Sequence, residues 1–121
     1  QMCIRDSDLT VDNAKSVRGF YEHVVGWEHS PVSMGEYDDY SMQPPGVDEP
    51  VTGICHARGA NSEIPPAWIV YFIVEDLDVS LEACEEGGGK IVSGPRTMGK
   101  DRYCVIRDPA GAVCALYQPA A

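Results

Sequence analysis

Positive charge is scarce in this chain: nine Lys and Arg stand against nineteen Asp and Glu, a formal net charge of −10. Nucleic acid and anionic membrane surfaces are themselves negative, so neither is an expected partner. Long apolar runs are missing as well. No stretch approaches the roughly 20 apolar residues of a membrane span, and no charged-then-apolar leader marks a secretory signal. The five cysteines (Cys3, Cys55, Cys84, Cys104 and Cys114) are an odd number with no short paired spacing. They read as mostly buried free thiols of a cytoplasmic protein rather than as a disulfide framework. Nothing resembles a Ser-His-Asp or Cys-His constellation, a phosphate loop or a basic nucleic-acid stripe.

What is present fits one folded domain over residues 1–121. The length can bury a real core, and a hydrophobic share of 44% is ordinary for a soluble protein. Gln1 to Ser7 lack alternation and read as a truncated or non-native start, which leaves the first strand incomplete. Asp8 to Val11 reads as the end of that strand. Asp12 or Asn13 can cap a helix carrying Ala14, Val17, Tyr21 and Val24/Val25 at helical spacing, with Lys15, Arg18 and Glu22 on the other face. Gly26 closes it. Gly35 to Met42 and Val51 to Ala57 read as strands, separated by a proline-rich loop. Arg58 to Pro66 is the best linker. Trp68 to Val74 is the strongest strand, apolar on both faces. Glu75-Asp76 opens a second helix with Leu77, Leu81 and Cys84, and Gly87-Gly88-Gly89 closes it. Lys90 to Ser93 is a short strand broken by Gly94-Pro95. Arg102 to Arg107 and Ala112 to Tyr117 form a hairpin about Asp108-Pro109-Ala110-Gly111, a type I turn signature.

The two halves repeat one order of elements. The interval from Val11 to Gly26 equals that from Val74 to Gly89, and three extended segments follow each helix. Such a duplication makes sense physically, because neither half could bury its own sheet face alone.

Val11-Asp12-Asn13-Ala14, Phe20-Tyr21 and Val24-Val25-Gly26-Trp27 resemble the first helix of the vicinal oxygen chelate superfamily, which joins glyoxalases, bleomycin-resistance proteins and ring-cleaving dioxygenases. Phe72 to Asp78 resembles the start of its second module. Gly88-Gly89-Lys90-Ile91, Asp108 to Gly111 and Leu116 to Pro119 resemble its closing strands. The resemblance implies an α+β fold of two βαβββ modules, about 8–57 and 67–119 with a linker at about 58–66, whose mixed sheet curls into a cup. It also implies a small-molecule ligand and a homodimer. Metal-using members place four His, Glu or Asp side chains in the cup, on the first and last strands of each module.

Carried over to this chain, the first of those places falls near Asp6 and the second close to His56. The other two are Ile69 and Ala115, which cannot ligate. Their neighbours Trp68, Val70, Cys114 and Leu116 do not restore a site for a hard ion. The expectation is therefore no cofactor, with a divalent metal disfavoured. Alternation then lines the cup with Ile69, Tyr71 and Ile73 and with Val113, Ala115 and Tyr117, suited to a small, largely apolar or aromatic ligand. Tyr71 and Tyr117 read equally as ordinary half-buried sheet tyrosines. His56 is the candidate catalytic residue for acid–base work, and its other reading is a strand-end histidine bonded to backbone or water. The alternative function is a metal-dependent lyase, isomerase or dioxygenase using His56.

Overall fold

The computed structural model describes residues 7–58 and 62–120. Of the irregular start expected over Gln1 to Ser7, residues 1–6, including Asp6, lie outside them, and Ser7 instead opens the first strand. The described residues form two compact units that divide between Trp68 and Ile69.

The first unit is a βαβββ module. It comprises β1 (Ser7–Val11), α1 (Ala14–Val25), β2 (Glu28–Ser33), β3 (Asp38–Gln43) and β4 (Thr52–His56). Its strands lie in the order β2-β3-β4-β1. β1 and β4 run parallel, which requires the α1 crossover between the module's first strand and the rest. Leu9, Tyr40, Met42 and Ile54 face α1, which returns Ala14, Val17 and Tyr21 onto them. The helix ends at Gly26, whose φ of 85° is costly for any residue with a Cβ.

Two expectations for α1 change. Arg18 and Glu22, expected on the outer face, are half-buried, with the Arg18 guanidinium 4.7 Å from the centre of the Tyr40 ring. Phe20, Val24 and Val25 are each more than half exposed. At 3.6 residues per turn Val24 has drifted off the stripe of Ala14, Val17 and Tyr21, whereas Val25 stays on it, next to Tyr21, and is exposed because it ends the helix.

The second unit repeats the pattern after Trp68, the first residue of β5 (Trp68–Ile73). It continues through α2 (Leu77–Glu86), β6 (Lys90–Met98), β7 (Asp101–Arg107) and β8 (Val113–Gln118), with strand order β5-β8-β7-β6. β5 and β8 are parallel. α2 buries Leu77 and Leu81 against Cys104, Ile106 and Leu116. Asp76 caps α2 by accepting from the Val79 N–H, and the Gln118 side chain accepts from the Leu77 N–H. The expected turn at 108–111 is present: the Gly111 N–H donates to the Asp108 carbonyl, and the Asp108 carboxylate accepts from Ala110 and Ala112.

β6 corrects the expected break at Gly94-Pro95. The strand runs on to Met98 because register shifts between Ile91 and Ser93 and between Ser93 and Arg96 absorb the irregularity, and Gly94 takes a φ of 106°. Both outer strands carry a proline, Pro31 in β2 and Pro95 in β6. Cys84, Cys104 and Cys114 are free thiols, whereas Cys55 is disulfide-bonded, which corrects the free-thiol reading at that position.

Gly89 sits where the end of α2 meets β7. A Cβ there would lie 2.6 Å from Cys84 Sγ and 2.9 Å from the Arg107 carbonyl oxygen. The sulfur can rotate away, but the strand carbonyl is fixed by its ladder. Gly89→Ala should cost about 1–3 kcal/mol. Urea unfolding checks this: the midpoint should fall while the slope stays unchanged.

Candidate functional site

In each module α1 or α2 covers one face of the sheet, so the opposite face is where side chains can converge. In the second module the register fixes which residues those are. Tyr71 pairs with Ala115 and Ile73 with Tyr117 across β5 and β8. Val105 pairs with Ala115 and Tyr103 with Tyr117 across β7 and β8. Directly opposed residues share a face, so Tyr71, Tyr103, Val105, Ala115 and Tyr117 lie together, away from α2. Alternation along β5 and β8 adds Ile69 and Val113. Ile69, Val105 and Ala115 are buried, Val113 is half-buried, and the Tyr71 and Tyr117 rings meet edge to face at 6.4 Å. Ile73 has the same parity but is 70% exposed. It lines a cleft at the strand's end with Glu75, Gln118 and Pro119.

The phenol of Tyr117 donates to Asp101 Oδ2, and Asp101 Oδ1 accepts from the Ala120 N–H at 2.7 Å. Burial, reinforced by the bond to the Asp101 carboxylate, pushes the Tyr117 phenol up to about 12. The same bond, with that from Ala120, holds the Asp101 carboxyl below its usual range.

The helix-free face of the first module is polar. Asp8 pairs with Gly53 and Gly53 with Ser41, while Thr10 pairs with Cys55. Asp8 and Thr10 are buried. His56 has the opposite parity, since it pairs with Val11 while Leu9 pairs with Ile54. It therefore does not join Asp8 and Thr10. At the strand's end its backbone N–H donates to Asp39 Oδ1 at 2.8 Å, and its Nδ1 lies 3.3 Å from the same oxygen. Asp39 is 1% exposed. The Tyr37 and Tyr40 rings flank the imidazole at 5.3 and 6.2 Å.

Asp39 is the partner that the sequence reading missed. Two consecutive aspartates in a strand must face opposite ways, and one of them turns inward; that was the available signal. His29 lies at the start of β2. It is half-buried, with Nδ1 2.5 Å from Glu22 Oε2 and 3.1 Å from an Arg18 guanidinium nitrogen.

A divalent ion does not fit the described residues. The floor of the second module offers Ile69 and Ala115 at two of the four implied places, and neither carries a donor atom. No group of three or more His, Cys, Asp or Glu side chains able to hold an ion occurs among the described residues. The free thiols do not make up the deficit: burial raises Cys84 and Cys114 and lifts Cys104 to about 11, which keeps them protonated.

The Asp101–Tyr117 bond has a pH signature at each end. Asp101 is lowered in the folded protein, so its contribution is present above the unfolded carboxyl pKa and is lost as pH falls through the folded value. Tyr117 is raised, so its contribution is present below the unfolded phenol pKa of about 10 and is lost as pH rises toward the folded value. Ultraviolet titration at the phenolate band should show one tyrosine ionising last, and Asp101→Asn should bring it back toward the others.

Residues 4–116 match the Glyoxalase/Bleomycin resistance protein/Dioxygenase superfamily. CFP32 of Mycobacterium bovis, a candidate glyoxylase by name, is 30% identical over 115 residues, covering 94% of this chain and 43% of that protein. The anthracycline biosynthesis protein DnrV of Streptomyces peucetius is 27% identical over 123 residues, covering 92% of this chain and 45% of that protein. The chain thus spans less than half the length of these curated relatives. Among solved structures, methylmalonyl-CoA epimerase from Mycobacterium tuberculosis aligns with a TM-score of 0.55 at 15% identity, over 95% of this chain and 86% of that one. A superfamily member from Vibrio splendidus 12B01 aligns with a TM-score of 0.57 at 11% identity, over 93% and 96%. These structures are alike in fold alone. With the match over residues 4–116 and two βαβββ modules in the chain, the protein belongs to the Glyoxalase/Bleomycin resistance protein/Dioxygenase superfamily.

Proposed function

We propose that the chain binds a small, largely apolar or aromatic molecule on the helix-free face of its second module, without a four-ligand metal site. One observation carries this reading. The register aligns Tyr71, Ala115 and Tyr117 over a floor of Ile69 and Val105. Such a surface offers ring edges and hydroxyls for orientation and aliphatic groups for burial, which is what a pocket for a planar apolar ligand needs. The link of DnrV, by its name, to anthracycline biosynthesis supports an aromatic ligand.

A planar hydroxyanthraquinone serves as the probe. It should raise the melting temperature of the protein, and Tyr71→Ala should weaken its binding about two- to tenfold, the worth of one aromatic pair. Dialysis against a chelator should leave binding unchanged. A flat thermal response across a panel of planar aromatics would count against the reading.

A second reading is acid–base catalysis at His56, of the lyase or isomerase kind. It is favoured by Asp39, whose carboxylate beside Nδ1 can hold the ring orientation and leave Nε2 to exchange a proton. Turnover lost in His56→Gln, and a displaced pH profile in Asp39→Asn, would support it. The chain is also proposed to form a homodimer, for which Val70 and Phe72 of β5, about half exposed, supply apolar surface. Light scattering at micromolar concentration tests that state.

A further inference from the structure

The first unit contains a second cavity, on the helix side of its sheet. It measures about 330 Å³ and is lined by Ser7, Tyr21, Val25, Trp27, Val51, Thr52 and Trp68. Both tryptophans of the protein form its walls together with Tyr21. The rings stand at steep angles to one another. Tyr21 and Trp68 lie 5.3 Å apart at 83°, and Trp27 and Trp68 lie 6.3 Å apart at 71°. The Trp68 indole N–H donates to the Tyr21 hydroxyl at 3.1 Å, which fixes two of the three rings.

The ring faces and the charge balance around this cavity favour one sign of ligand. Its tryptophan N–H closest to Tyr21 is already donated, and the Thr52 hydroxyl proton goes to the Ser7 carbonyl at 2.8 Å. The Ser7 and Thr52 hydroxyl oxygens lie 3.3 Å apart. What remains to a ligand is the ring faces, hydroxyl lone pairs and two donors, the Trp27 indole N–H and the Tyr21 hydroxyl proton. Among the described residues no Lys, Arg or His lines the cavity, and the chain carries a net charge of −10. An anion would meet electron-rich walls and no basic side chain among the described lining residues. A quaternary ammonium group needs no hydrogen bond, and ring faces within about 6 Å attract it.

We propose that this aromatic-walled cavity is a binding site for a small organic cation of the quaternary or N-methylated ammonium class, separate from the tyrosine-lined face of the second module. Trp27 and Trp68 supply the π faces, and Tyr21 holds Trp68 in position. The site depends on neither the metal question nor the ligand proposed for the second module.

The protein contains its own reporter, because both of its tryptophans line this cavity. Choline titrated into the protein at constant ionic strength should change tryptophan emission saturably. The isosteric neutral alcohol 3,3-dimethyl-1-butanol should bind at least roughly threefold more weakly, since it lacks the charge that the ring faces attract. Trp68→Leu should weaken choline binding by roughly threefold or more, and Trp68→Phe, which keeps a ring, should fall between it and the unaltered protein. Tyr71→Ala, in the other module, should leave choline binding unchanged. An emission response that does not saturate, equal affinity for the neutral isostere, or undiminished binding in Trp68→Leu would each overturn the proposal. Trp68→Phe keeps the test meaningful if the leucine variant folds poorly.

Discussion

Each module depends on one constraint, the parallel pairing of its first and last strands. β1 lies against β4 and β5 against β8. A parallel pair cannot be closed by a tight turn, so the chain must leave the sheet, lay a helix across one face and return. Everything about which side chains meet follows from the register so set. In the second module that register gives Leu116 to the helix and Ala115 and Tyr117 to the open face. A slip of one residue would exchange them and place the helix over a tyrosine.

The two open faces that result are chemically different, although the modules repeat. The first is dominated by Asp8, Thr10, Asp39 and Ser41. The second has an apolar centre of Ile69, Val105 and Ala115 with tyrosines around it. Buried carboxylates are costly unless they are bonded, and Asp39 answers that cost through the His56 backbone and ring. A duplicated scaffold thus presents two unlike surfaces, because the alternating positions on each strand are free to diverge while the helix-facing positions remain apolar.

Much of this was legible in the chain. β5 could be read because six strongly β-forming residues leave no helical alternative, and its alternation then separated Ile69 and Tyr71 from Trp68, Val70 and Phe72. Asp76, Gly87 and the turn at Asp108 marked boundaries through local chemistry that acts without tertiary help. Three features lay beyond such rules. The parity of His56 depends on its register with Val11, a long-range pairing. Arg18 lies over Tyr40 because a long aliphatic stem can cross a sheet edge, which helical periodicity does not encode. β6 passes through Gly94-Pro95 because β7 continues to pair with it on both sides of the irregularity, so tertiary pairing outweighs two residues that locally oppose a strand.

Pro31 and Pro95 lie in the outermost strands of their modules, β2 and β6. A proline has no N–H to offer, and the shifted register of β6 further interrupts the row of amides along that strand. A neighbouring chain seeking to extend either ribbon would find its hydrogen-bond template broken at these points. The same prolines that punctuate the modules therefore oppose end-to-end growth into fibrils, and they steer association between copies toward side-chain contact rather than continued backbone pairing.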